Sequence, residues 1–413
     1  MKTGQSMFSL QPSRRPARSA GFTLIELIVV TAMMGVFAVV FFGVFTFNVE
    51  ASRVQSQISD MQQNLRVAQH DVKRFARMAG RGGLPAMLPG SSLPNGVAIT
   101  VQNNVPAGTR IGGAGSPEVL EGTDILTIRG VFTNPVYQLT ASPADYAAGV
   151  LEFIPQTPTG QAQDIGALAE AVQRALDSPG DAKEPLVLIS PLGQYSIFAL
   201  QTGSIVTTGG VNSEPLQIFV EIAEDAGYRG LLVEGGTNPV EMTTVSSVGI
   251  IEEYRYYIRK VEPAPGRVTP RLTRARFYAG TNQPHPTNPN ADEDIADHIV
   301  DLQIALGVDR YAGTGGGAAD GLIYDGEPDD AADADEWLFN HRDDEPLVAG
   351  LGNLELLRLS ILARTSRADR RYGGRRLAWL EDHDYVNGPV SPAATDLQRR
   401  RRMSQTVVNL RNL

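Results

Sequence analysis

The sequence predicts an α+β protein in which one long N-terminal helix, apolar in its first half, packs through its second half on a predominantly antiparallel β head. Three observations predict it. No proline interrupts residues 22–84, apolar side chains recur at three- and four-residue spacings in the later part of that stretch, and short alternating segments follow it in a 413-residue chain that holds 42 Gly and 26 Pro in all. Proline breaks helix interiors, a three/four period marks one helical face, and strict alternation marks a strand.

Residues 1–21 form a basic leader with Lys2, Arg14, Arg15 and Arg18 and no acid. That charge holds the N-terminus on the cytoplasmic side of a membrane. Residues 22–47 follow as an apolar stretch whose only formal charge is Glu26; at ~1.5 Å rise per residue it spans a ~30 Å hydrocarbon core. A secretory signal is cut after its apolar core. Here the candidate cut, after Gly21, lies before it, so the mature chain starts at Phe22 and keeps its anchor.

A carboxylate in such a segment costs about 2.5–3.5 kcal/mol at the helix centre and less near its end, so Glu26 needs a compensating interaction. One reading has it close enough to the interface to reach water. The other pairs it with the free α-amino group of a neighbouring subunit's Phe22, which fixes axial register between helices.

Gly21-Phe22-Thr23-Leu24-Ile25-Glu26-Leu27-Ile28-Val29-Val30 resembles the class III signal of type IV prepilins and type II secretion pseudopilins. The resemblance implies a pilin-like fold, a prepilin peptidase that cleaves after Gly21 and methylates the Phe22 amine, and extraction of the subunit from the inner membrane into a helical fibre.

Residues 48–80 continue the helix. Val54, Ile58, Met61, Leu65, Ala68, Val72, Phe75 and Met78 form the seam of an amphipathic face. Gly43 is a weak point in the anchor, costing about 1 kcal/mol against alanine. The closing segment Arg77-Met78-Ala79-Gly80, the final Arg411-Asn412 and the strand Val300–Asp309 resemble PilW-type minor pilins across the chain.

Residues 81–413 are the expected periplasmic head. The chain has no cysteine, so packing alone must hold it. Half-buried strands are expected where Val300, Leu302, Ile304 and Leu306, then Leu357, Leu359 and Ile361, then Tyr254, Tyr256 and Ile258 alternate with polar neighbours. Further strands are predicted at Asp124–Val131, Val150–Ile154, Leu186–Ile189, Tyr195–Leu200, Leu216–Ile222 and Ser404–Leu410, with a helix at Ile165–Leu176. The Pro/Gly/Asn-rich stretches Leu84–Gly115 and Pro263–Asp294 are expected to be surface excursions.

Catalytic chemistry is not visible, and the protein is expected not to be an enzyme. His70, His285, His298, His341 and His383 lack metal-ligand spacing, and there is no nucleophile elbow or Walker lysine. Gly313–Gly317 reads as a loop without a following helix. Asp325, Glu327, Asp329, Asp333 and Glu336 fall at positions one, three, five, nine and twelve of a calcium-loop frame, but Asp330 stands where the turn wants glycine. The run reads as a solvated acidic loop, with calcium binding as the alternative; no other cofactor is expected. Forty-six acids against thirty-six Lys and Arg give a net charge of −10, which does not suggest a nucleic-acid partner. Arg399–Arg402 lacks interleaved aromatics and reads as a solvent-facing edge or a partner for such acids.

The resemblance implies a single-pass inner-membrane protein whose head is periplasmic and then reaches the pilus surface. Its implied partners are other minor pilins, the major pilin, the prepilin peptidase and the inner-membrane assembly platform, in a priming or tip complex that initiates the type IV pilus. The alternatives are a type II secretion minor pseudopilin of the J class and, from another class, a tip adhesin or DNA-uptake receptor.

Overall fold

The structure, a computed structural model, describes residues 21–84, 97–113, 115–141, 150–153, 165–177, 183–189, 195–207, 216–221, 245–264, 267–285, 292–309, 323, 336–340, 353–375, 377–386 and 397–410. Helix α1 runs Leu24–Met78 without a break at Gly43. Contacts divide the chain into two units, one ending at Ser56 and the other starting at Gln57.

In chain order the strands are β1 (Ile99–Gln102), β2 (Ile125–Gly130), β3 (Tyr137–Ala141) and β4 (Val150–Phe153), then helix α2 (Ile165–Leu176). β5 (Leu186–Ile189), β6 (Tyr195–Thr207), β7 (Leu216–Glu221), β8 (Val245–Ile250), β9 (Glu252–Ala264), β10 (Arg267–Phe277) and β11 (Asp292–Asp297) follow. The last are β12 (Ile299–Asp309), β13 (Trp337–Leu338), β14 (Asn353–Arg364), β15 (Trp379–Leu380), β16 (His383–Asp384) and β17 (Arg401–Asn409). They form antiparallel sheets ordered β1-β2-β9-β10-β11, β13-β12-β14-β17, β15-β16 and β3-β8-β5-β6-β7-β4.

The head core lies between the second half of α1 and the first two of these sheets. Met61, Leu65, Ala68, Val72 and Phe75 are buried in one cluster with Leu126, Ile128, Tyr256, Leu302, Ile304, Leu359 and Val408, and Ile58 and Met78 pack at its margin. The three/four seam thus meets a continuous apolar sheet face, as its period requires. Phe75 is the centre of an aromatic group, with ring centroids 4.9 Å from Tyr254, 5.6 Å from Phe132 and 6.0 Å from Tyr256.

The helix ends in a glycine turn. Gly80, Gly82 and Gly83 all have positive φ, the left-handed region open to glycine. The Gly80 amide donates to the Arg129 carbonyl at 3.0 Å and the Val131 amide to the Arg81 carbonyl at 2.8 Å, which stitches the helix end to the end of β2. A Cβ on Gly83 would stand 2.3 Å from Ile189 Cδ1.

Two expectations are corrected. Of the strands expected to be half-buried, β12 is buried on both faces, with Asp301, Gln303 and Ala305 as enclosed as their apolar neighbours; on β9 and β14, Tyr257 and Ser360 are enclosed while Arg255, Arg259 and Arg358 stay partly exposed. Alternation in polarity is real, but the polar face of β12 and β14 is covered by residues 377–385, whose Leu380 and Tyr385 pack on Val300 and Leu362. Behind β2, β9 and β10 the segment 105–119 forms a second small core with Ile125, Tyr257 and Phe277. The supposed surface excursions also contain β1, β10 and the start of β11. β10 looks like a loop in sequence because of its proline and arginines, and those arginines are neutralised by acids brought from elsewhere: Arg271 by Asp294 and Asp297, Arg274 by Asp71 and Glu293, Arg276 by Glu184.

Candidate functional site

The candidate processing and assembly residues lie at the start of α1. Gly21 and Phe22 precede its first turn, and Phe22 is 85 % exposed. Among the described residues a Cβ on Gly21 would meet nothing within 4 Å, so their packing does not require a glycine there. From Leu24 to Val49 the large apolar side chains are exposed in the first unit, the condition of a helix whose solvent is lipid.

Glu26 also has a partner within its own chain, Thr23, which the sequence signals. Thr23 and Glu26 stand three residues apart at the helix start, the spacing of a capping box. Glu26 Oε2 accepts the Thr23 amide at 3.0 Å and the Thr23 hydroxyl at 2.9 Å, and the Glu26 amide donates back to Thr23 Oγ1 at 3.4 Å. Donors otherwise left over at the helix N-terminus are thereby satisfied without water. The second carboxylate oxygen, Oε1, has no partner among the described residues and is available to a group from outside the chain.

The head carries a buried polar network where a catalytic cluster would be sought. Asp301 accepts from Gln303 Nε2 at 2.9 Å and from the Tyr385 hydroxyl, and its Oδ2 lies 2.8 Å from His383 Nδ1. Beside it, Glu381 accepts from Arg358 Nη2 at 2.7 Å, Ser360 at 2.6 Å and Gln405 at 2.8 Å. Asp301 and His383 are sealed from solvent, so no substrate reaches them; the network fastens residues 377–385 across β12, β14 and β17. Burial pushes the Asp124 carboxyl well above the usual carboxylate range, against the Asn104 amide that holds its charge.

Other residues singled out in the sequence are dispersed. His285 lies tilted at 51° against Tyr278, with ring centroids 4.6 Å apart, and His70 is exposed on α1. The calcium frame from Asp325 to Asp335, the Gly313–Gly317 loop and His341 lie outside the described residues, and Glu336 is buried. Arg399 donates to the carbonyls of Thr365 and Ser366, Arg400 pairs with Asp369 at 3.1 Å, and Arg401 donates to the Arg375 carbonyl. These partners come from residues 365–375. Arg400 also stands 4.7 Å over the Tyr372 ring, an aromatic contact that local sequence does not reveal.

A fully exposed apolar helix start, a Thr23–Glu26 cap and an antiparallel head packed on the same helix define a membrane-anchored, pilin-like class of protein. Residues 16–42 match the family model described as prokaryotic N-terminal methylation motif, and residues 255–412 match that of Type IV Pilus-assembly protein W. Over these two segments the chain is similar to PilW-type type IV pilus-assembly proteins and carries the N-terminal methylation motif. Pilins of this kind are structural subunits that interact with other pilins, and the methylation motif is the substrate of prepilin peptidase. A type IV-like pilin from Thermus thermophilus is similar at 13 % identity, over 60 % of this chain and 96 % of that one, with a TM-score of 0.20. Comparison with curated proteins finds no match.

Proposed function

We propose that this protein joins other minor pilins and the major pilin in a complex that initiates the type IV pilus and caps its tip. The observation that supports this is the occurrence of the methylation motif at residues 16–42 and the pilus-assembly match at residues 255–412 on one chain. Prepilin peptidase removes residues 1–21 and methylates the Phe22 amine. Residues 22–47 then anchor the protein once in the inner membrane, with the head periplasmic. Glu26 Oε1, left open by the capping box, accepts the Phe22 amine of the neighbouring subunit. The protein contributes an assembly surface and catalyses no step itself.

The test is complementation in a strain lacking the gene. Wild-type protein should restore surface pili counted by electron microscopy and should crosslink to minor pilins in the membrane fraction. Full piliation without the gene, with loss of exoprotein secretion instead, would transfer the protein to a type II secretion system.

A further inference from the structure

β17 is an edge strand: among the described residues it pairs with β14 alone. The Leu410 amide donates to the Glu355 carbonyl at 2.9 Å and the Thr365 amide to the Arg400 carbonyl at 2.9 Å. In an antiparallel ladder a residue sends its N–H and C=O to the same side, and alternate residues send them to opposite sides. Even-numbered residues of β17 therefore face β14. Met403, Gln405 and Val407 turn their backbone groups to the open edge, and Met403 and Val407 remain 48 % and 47 % exposed.

Such an edge templates pairing with another chain unless it is blocked. No proline or bulge interrupts the β14–β17 register from Arg401 to Asn409. Beside this edge a trough of about 190 Å³ runs between β17 and α1, lined by Gln62, Arg66, Gln69, Arg402 and Ser404, with no acid on its walls. Ser404 Oγ donates to Gln69 Oε1 at 3.2 Å, which fixes this flank of the helix against the strand. Gln62, Arg66, Gln69 and Lys73 recur at i, i+4, i+7 and i+11, one helical stripe. Arg66, Lys73 and Arg402 make no ion pair with any described residue. Arg66 also borders a recess holding Glu293 and Asp294 on the other flank, yet it is bonded to neither.

We propose that this edge docks an extended, acidic segment of another protein chain, added beside β17 as a further strand. The partner's backbone would pair with Met403, Gln405 and Val407. Its carboxylates, at alternate positions on the helix side, would meet Arg66, Lys73 and Arg402. Strand addition gives affinity through main-chain bonds and specificity through alternate side chains, and the positive stripe selects acids.

The probe is a fluorescein-labelled peptide, Thr-Glu-Val-Glu-Thr-Glu-Val-Glu-Thr, titrated by anisotropy against the full chain in detergent micelles. Saturable binding is expected, absent for the peptide with Lys in place of Glu, and at least tenfold weaker in Arg66→Glu/Arg402→Glu. Val407→Pro removes only an outward N–H, which an edge strand tolerates, and should weaken binding as much. A peptide N-methylated at alternate amides, titrated against unchanged protein, should also fail, so the strand geometry is tested even if a variant misfolds. Equal binding of the Lys peptide, or full binding of the N-methylated peptide, overturns the proposal. So does dimerisation of the full chain that Val407→Pro abolishes, because the occupant is then a second copy.

Discussion

The Tyr256 hydroxyl donates to Asp71 Oδ2 at 2.7 Å, joining a central strand of the head to the helix from 185 positions away. Arg274 Nη1 reaches the same carboxylate at 3.0 Å, while its guanidinium stands 4.5 Å over the Phe75 ring. Apolar burial makes the helix adhere to the sheet, and this triad sets where along the helix it does so. Burial raises the Tyr256 phenol well above its ordinary range, reinforced by the Asp71 charge, so the tyrosine is a committed donor.

Asp71→Ala should therefore destabilise the head by about 2–3 kcal/mol, since hydrogen bonds to charged groups contribute about 1.5–3 kcal/mol and a buried hydroxyl is left unsatisfied. In a urea-unfolding double-mutant cycle, Asp71→Ala and Tyr256→Phe should couple by about 1 kcal/mol or more. Strict additivity would show that the two residues touch without contributing to docking.

Leu65 and Phe75 are 4 % and 8 % exposed against the sheets. Replacing both by aspartate puts two unpaired charges into the core, each costing several kcal/mol against a total stability of about 5–15 kcal/mol. The double variant should accumulate as degraded or insoluble protein. Recovery of soluble protein with an unchanged melting temperature would contradict the packing of Gln57–Met78 on the head.

His285 is held neutral: burial, with the Arg276 charge nearby, lowers its imidazole pKa to about 4. The unfolded chain takes up that proton near pH 6.5 and the folded chain only near 4. Its contribution to stability is thus present above about 6.5 and is lost as pH falls through that window. His285→Phe, which keeps a ring against Tyr278, should reduce the slope of unfolding free energy with pH between 6.5 and 4 by up to about 1.4 kcal/mol per unit. His298 is lowered in the same direction by burial, so some slope should remain. An unaltered slope in the variant would mean that His285 takes up its proton at the same pH in the folded and unfolded chain, so that folding does not hold it neutral.

Gly21→Val should leave uncleaved precursor in the membrane while the head folds normally, because no described residue contacts a Cβ at that position. Immunoblotting separates precursor from mature protein by size. Edman sequencing of the wild-type product should begin at Phe22; any other first residue would refute the proposed processing.

Glu26→Ala and Thr23→Val separate the two roles of the helix start. Both remove the cap, which contributes about 0.5–2 kcal/mol to a helix, but only Glu26→Ala removes the carboxylate that the neighbour's amine would meet. Both should be cleaved and inserted. Incorporation into sheared pili, measured by blotting, should fall much further for Glu26→Ala than for Thr23→Val, and equal losses would reduce the role of Glu26 to capping.

The long helix, its apolar first half and the seam from Ile58 to Met78 are legible in the chain alone, because each is a local period that short-range geometry expresses directly. The chain also holds the Thr23–Glu26 cap, three residues apart, and the extents of Leu186–Ile189 and Ile165–Leu176, which the structure reproduces to the residue. The enclosure of β12 on both faces is not legible there, since the cover that seals Asp301 and Gln303 comes from residues 380–385, some eighty positions later. β10 became a strand for the same reason. Its arginines prefer water until Asp71, Glu184 and Asp294 are brought within reach, and no window along the chain contains all of those partners.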